Sequence, residues 1–258
     1  SFCDARNYNE LSLQLDKFKP DVIVHLAAVS HSNVSNKDPH STFDHSLRTL
    51  ENSLDISRSL KCHLVYLSSS MVYGNFSKSS VDENDSCNPI GIYGTLKYCG
   101  ELMVKSYNQI FDLPYTIIRP SALYGERCVS RRVGQIFLEQ VLNNKSITIN
   151  GTGNEKLDFT YIEDLCQGIY RTVKNKKAIN NTFNITYGSG RKVNDLIKVL
   201  KKDYDVKIIY KNKEKFTPKR GTLSIEKAKS LIGYKPQYPI EVGYQKYIDW
   251  YSKVVNKS

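Results

Sequence analysis

Three short apolar runs, at residues 21–28, 63–68 and 115–119, are separated by stretches each long enough for a helix. This spacing most constrains the fold. An unbroken apolar run of strand length is the pattern of a parallel strand covered on both faces. Residues 39–60 read as a helix between the first two runs, and a long helix ending near Phe111 lies between the second and third. Pro114 opens the third run and Pro120 closes it. The β-α-β-α-β order predicts a parallel sheet with right-handed crossovers.

Past Gly125 the texture changes. Residues 131–142 read as helix, 147–149 as a short strand and 151–153 as a Gly-Thr-Gly turn. A helix is expected from Ile162, a strand at 183–185, a helix at 193–202, a strand at 206–209, and helices at 224–231 and 242–254. A chain of 258 residues can form one large domain, or one domain and a small lobe. The expectation is an α/β domain over residues 1–125, to which later segments return, and a smaller mixed α/β lobe over 126–258.

The formal net charge is +11, with lysines spread along the chain rather than gathered on one segment. That distribution points away from nucleic acid and fits an anionic small substrate. No apolar run approaches the ~20 residues of a membrane-spanning helix, and the N-terminus lacks the pattern of a signal peptide. The six cysteines form no Cys-x-x-Cys pair, and neither they nor the five histidines have metal-ligand spacing. Free thiols in a reducing cytoplasm and no metal are expected.

Tyr93 follows Ser69 by 24 residues and precedes Lys97 by four. Residues four apart on a helix share a face. A free phenol has a pKa of about 10, and a nearby ammonium favours its ionised form. Ser69, at the end of an apolar run, can reach the same oxygen from a strand end. The trio offers a hydroxyl to hold a substrate oxygen, a phenol to exchange its proton and a cation to tune the phenol. This suits hydride chemistry at a carbon bearing an alcohol or ketone. Tyr170 and Lys174 repeat the spacing in what reads as an ordinary amphipathic helix.

Several ordered blocks accompany the trio. They are Cys3-Asp4-Ala5-Arg6-Asn7, Val24-His25-Leu26-Ala27-Ala28, Ser68-Ser69-Ser70-Met71-Val72-Tyr73-Gly74, Arg119-Pro120-Ser121-Ala122-Leu123-Tyr124-Gly125, Asp158-Phe159-Thr160-Tyr161-Ile162-Glu163-Asp164, and Lys227-Ala228 through Gly233-Tyr234-Lys235-Pro236. With them the chain resembles the extended short-chain dehydrogenase/reductase family, in its NAD-dependent epimerase/dehydratase branch acting on nucleotide sugars. The resemblance implies a Rossmann-like, doubly wound parallel sheet with a smaller substrate lobe. It implies Ser69, Tyr93 and Lys97 as catalytic residues. Asp4, Ala5, Leu26, Ala27, Ala28 and Pro120, with Tyr93 and Lys97, would bind NAD or NADP. Ser70, Met71, Ser121, Ala122, Arg131, Arg132 and Arg220 would meet a nucleotide-sugar substrate, the arginines replacing contacts that family members make from positions held here by Ala122 and Leu157. A homodimer through residues 39–60 and 91–111 is also implied.

The family's glycine-rich turn after a first strand has no counterpart before Asp4. The expectation is therefore an N-terminally truncated member lacking its first strands, with impaired cofactor binding. The dehydratases place Asp-Glu after the catalytic hydroxyl, where this chain has Ser70 and Met71, so an epimerase of surface-polysaccharide metabolism is the first reading. An NADP-dependent 4-keto-sugar reductase and a non-catalytic binding protein or remnant on the same scaffold are the alternatives.

Overall fold

The apolar runs do form parallel strands. In the computed structural model, which describes residues 2–30, 32–128, 130–212 and 217–255, helix α1 (Tyr8–Phe18) leads into β1 (Val22–His25). Helices α2 (Ser32–Lys37), α3 (Pro39–Phe43) and α4 (Thr49–Leu60) follow, then β2 (His63–Leu67), β3 (Ser80–Val81), α5 (Gly91–Phe111) and β4 (Tyr115–Arg119). The second half runs β5 (Leu123–Tyr124), α6 (Val133–Leu142), β6 (Ile147–Asn150), β7 (Lys156–Leu157), β8 (Thr160–Tyr161), α7 (Ile162–Lys174) and β9 (Asn181–Asn184). It ends with β10 (Arg191–Lys192), α8 (Val193–Leu200), β11 (Ile208–Lys211), β12 (Thr222–Leu223), α9 (Glu226–Ile232) and α10 (Ile240–Val255).

The main sheet has the order β1-β2-β4-β9, and every pair is parallel. Side chains alternate across it, as the two-residue period requires. Leu64, Tyr66, Tyr115 and Ile117 pack with Leu50, Leu54 and Val104 from α4 and α5 on one face. Val65, Ile118 and Phe183 pack with Leu165, Ala228 and Ile232 from α7 and α9 on the other. The sheet is thus covered on both faces, as a doubly wound fold requires. A separate core joins α6, α8 and α10 to β6, with Phe137, Leu138, Leu196, Leu200, Tyr244 and Tyr247 at its centre. No helix among the described residues is long and apolar enough to cross a membrane.

Three expectations are corrected. The run at 21–28 yields a strand only as far as His25, where β1 has β2 as its single neighbour among the described residues. Beyond His25 the chain leaves the ladder, and Leu26 is 57% exposed. The helix expected at 39–60 is interrupted by a π-helical turn, Asp44–Arg48. Polar side chains compete with the helical ladder there: His45 Nδ1 donates to Ser41 O (2.8 Å), and Thr49 Oγ1 donates to both His45 O and Ala27 O (2.9 Å each). Strand β11 starts two residues later than its apolar pattern implies, because Val206 packs against the α6–α8–α10 core instead.

Two short pairings matter for the site. Strand β12 runs parallel to β3, which brings the chain near residue 220 back beside the end of β2. Strand β5 pairs with β8 and ties the end of β4 to the start of α7.

Candidate active site

Strand β2 ends at Leu67, and Leu67 and Ser68 each meet a side chain of α5. Lys97 Nζ donates to Leu67 O (2.7 Å), and Ser68 Oγ donates to Glu101 Oε1 (2.5 Å). Ser69 has extended backbone, and its hydroxyl accepts from Met71 N (3.2 Å), capping the 3-10 turn Ser70–Tyr73. The Ser69 hydroxyl lies near enough to the Tyr93 phenol to favour its ionised form. The end of β2 thus sets Ser69 and Leu67 O against the first two turns of α5, which carry Tyr93 and Lys97. This arrangement depends on a close approach of α5: a Cβ on Gly94 would lie 2.8 Å from Met71 O and 3.3 Å from Pro89 Cβ. Only glycine lets the first turn of the helix lie this near the capped turn.

The electrostatics differ from expectation in one respect. Lys97 was expected to depress the Tyr93 pKa. Burial instead dominates and raises it, against the Ser69 hydroxyl and the charges of Arg132 and Arg220. The Lys97 ammonium is engaged at Leu67 O and sits 5.2 Å from the Tyr66 ring centroid. Burial pulls Lys97 down to about 8, opposed by the charge of Glu101.

Arg220 enters from the segment before β12. Its Nη2 donates to Ser70 Oγ (2.7 Å) and Ser121 Oγ (2.6 Å), and its Nη1 contacts Met71 Sδ (3.7 Å). Its Nε is buried without a hydrogen-bond partner, and burial lowers its pKa to about 10. Among the described residues the carboxylate acting on it is Asp158, which is itself occupied with Leu223 N (3.0 Å), Gly188 N (3.1 Å) and Thr186 Oγ1 (3.2 Å). Burial raises Asp158 to about 6. Ala122 holds a left-handed backbone (φ 38°), an uncommon state for a residue with a Cβ.

Beside these residues opens a cavity of about 630 Å³. Among the described residues, Ala122, Phe137, Asn150 and Leu157 line it, together with four cations, Arg131, Arg132, Lys211 and Arg220, and no carboxylate. Not all four are equally available. Arg131 lies at the rim and pairs with Glu139 (2.6 Å), and Arg132 donates to Ser30 O. A second cavity of about 700 Å³ shares Asn150, Leu157 and Arg220 with the first.

The residues expected to hold a dinucleotide lie around the ends of β1, β2 and β4. Leu26, Ala27 and Ala28 follow β1, and Thr49 fixes Ala27 O. Pro120 O accepts from Ser70 N (2.9 Å). Ala5 O accepts from Asn52 Nδ2 (2.9 Å). Asp4 is exposed, and the guanidinium of Arg6 grips both its oxygens, which holds its carboxyl down to about 2. An ammonium carries three donors, and Leu67 O is the acceptor that Lys97 Nζ has among the described residues. A buried ammonium with donors to spare fits the ribose hydroxyls of NAD.

Residues 1–186 match the NAD dependent epimerase/dehydratase family. The chain belongs to that family. It is 31% identical over 230 residues to a Bacillus subtilis protein named uncharacterized UDP-glucose epimerase YtcB, covering 86% of this chain and 72% of the relative. Among solved structures, the UDP-glucose 4-epimerase of Thermotoga maritima with UDP-glucose superposes with a TM-score of 0.93 at 25% identity, covering 98% of this chain and 84% of that one. The UDP-glucuronic acid 4-epimerase of Bacillus cereus, in complex with UDP-glucuronic acid and NAD, gives 0.91 at 28% identity, covering 98% and 81%. The family assignment makes this chain an enzyme with a Rossmann-type α/β fold. The expectation of a truncated member is not borne out by these comparisons.

Several residues of the site had no role assigned from sequence. His25 is buried beside the site, with Nδ1 2.9 Å from Ser53 Oγ and Nε2 unpartnered. Glu101 stands one turn beyond Lys97, a spacing that could have drawn it in. Lys211 reaches the cavity through the β11–β6 pairing, which has no local signal.

Proposed function

We propose that this enzyme is an NAD-dependent nucleotide-sugar 4-epimerase. One observation carries the reading: a cavity lined by cations and, among the described residues, by no carboxylate opens at Arg220, whose guanidinium spans Ser70 and Ser121 close to Ser69 and Tyr93. A diphosphate needs such cations, and arginine meets it with paired, charge-assisted hydrogen bonds. A half-buried Arg220 with a buried, unpaired Nε and, among the described residues, no carboxylate in hydrogen-bond contact supports its reading as an anion-binding group. Arg132 and Lys211 add to it, and Arg131 contributes only on leaving Glu139.

In this reading Tyr93 takes the proton of the sugar 4-hydroxyl as the carbon–hydrogen bond breaks, and later returns it. Ser69 holds the reacting oxygen through its hydroxyl. Lys97 would hold the ribose hydroxyls of NAD, with Leu26, Ala27, Ala28 and Pro120 along the ring and Asp4 and Ala5 toward the adenine. NAD, when bound, supplies the hydride acceptor and the hydride donor at the same sugar carbon. Arg132 and Arg220 favour the ionised phenol against the effect of its burial. Ser70 and Met71 cannot serve as the acid and base of a dehydration. Division near residue 125 into a cofactor half and a substrate half belongs to the same reading, as does a homodimer.

Tyr93→Phe is expected to lower kcat by about 10²–10⁴, the span of general acid–base catalysis, while NAD and substrate still bind. Steady-state kinetics and a binding titration check this, and undiminished turnover would refute the assignment.

A further inference from the structure

Helix α5 addresses the end of β2 with a third polar residue. Tyr93, Lys97 and Glu101 lie one turn apart and meet Ser69, Leu67 O and Ser68 respectively. Glu101 is 0% exposed and Arg119, the last residue of β4, 2% exposed. Arg119 grips the carboxylate in parallel fashion, Nε to Oε1 (2.9 Å) and Nη2 to Oε2 (2.6 Å). Its Nη1 donates to Tyr73 OH (2.9 Å), and Tyr73 OH donates to Asn184 Oδ1 (2.8 Å) on β9. Tyr73 ends the 3-10 turn that Ser69 caps. The bonds form a closed ring: Ser69 to its turn, Tyr73 to Arg119, Arg119 to Glu101, Glu101 to Ser68, and back to Ser69.

A buried ion pair is a weak device for stability, since well-packed apolar side chains of similar volume often do as well or better. A bidentate guanidinium–carboxylate pair does fix direction. We propose that Glu101, locked by Arg119, is a positioning residue of the active site, which sets Ser68 and the third turn of α5 so that Ser69 and Lys97 stand in register with Tyr93. The inference rests on the function proposed above. The groups facing Lys97 are Glu101 on its own helix, Tyr66 on β2 and His25 on β1, with Arg119 behind Glu101. Of these, Glu101 favours the charged ammonium.

The test is Glu101→Gln, which keeps shape and removes charge. Two readings are taken: steady-state kinetics, and the pH titration of the Lys97 Cε resonance in protein labelled with 13C-lysine, measured without substrate. The expected result is a fall in kcat of about tenfold or more, as for a small misplacement of reacting groups, with KM within about twofold, and a Lys97 titration moved to lower pH than in the wild type. An unmoved titration overturns the proposal, whether kcat falls or not, because a loss of folded protein alone would leave it unmoved. A moved titration with wild-type kcat also overturns it. If the wild type turns over no nucleotide sugar, the proposed function fails, while the titration still judges the positioning. Should Glu101→Gln not fold, Glu101→Leu with Arg119→Met takes its place: the positioning requires lowered kcat and a moved titration there too. Failure of both to fold would assign the pair to holding the fold and would overturn the proposal.

Discussion

Burial keeps His25 neutral, lowering its pKa to about 4, with the Lys97 charge adding to the effect. The sign of the consequence follows from linkage. Between pH 6.5 and 4 the unfolded chain binds a proton at this residue that the folded chain refuses. Stability therefore falls on acidification through that window, by about 3 kcal/mol from this residue. Denaturant unfolding at pH 7 and pH 4.5 is expected to show the loss, and His25→Leu to reduce it; an unchanged difference in the variant would contradict this account. Sequence spacing placed Ser69 at a strand end and Tyr93 on the helix that packs there, because helix and strand geometry set the reach of each. It could not give the charge state of Tyr93. That depends on burial and on Arg132 and Arg220, which arrive from elements far along the chain.

Helix α5 is the element on which the site depends, and its other close contact is at Gly100. A Cβ there would lie 2.3 Å from Tyr66 OH and 2.9 Å from Leu50 Cδ2. Alanine would gain about 1 kcal/mol of helix propensity, but overpacking a core typically costs about 1–3 kcal/mol. With contacts this short the packing cost prevails. Gly100→Ala is expected to lower Tm by roughly 3–6 °C; a raised Tm in a thermal scan would show that Tyr66 can yield. The strands and long helices were legible from apolar period and length. The π turn at Asp44–Arg48 was not, because it arises where Thr49 and His45 satisfy backbone carbonyls that include Ala27 of the neighbouring strand end. Nor was the early end of β1, since a continuous apolar run looks the same at the edge of a sheet as at its centre.

At the scale of the molecule, the site is assembled by returns of the chain. Strand β12 brings Arg220 onto Ser70 and Ser121, and β11 brings Lys211 to the cavity. The sequence blocks marked where these segments lie and already singled out Arg220, whereas Lys211 came into view only from the pairing of distant strands. The proposed homodimer finds support in apolar side chains exposed on α3 and α5, namely Phe43, Leu102, Ile110 and Phe111. Sedimentation equilibrium is expected to give twice the chain mass, and Leu102→Glu with Ile110→Glu to give monomers; a monomeric wild type would set the dimer aside. The claim that matters most is that one hydride leaves a sugar carbon and returns to it within this site. UDP-glucose and UDP-glucuronate carrying deuterium at C4, incubated with the enzyme and NAD, test it by NMR. The account predicts that a 4-epimer appears from at least one of them with the deuterium retained and no net change in reduced cofactor. No interconversion of either, or product formed only with stoichiometric use of NADPH, would contradict it.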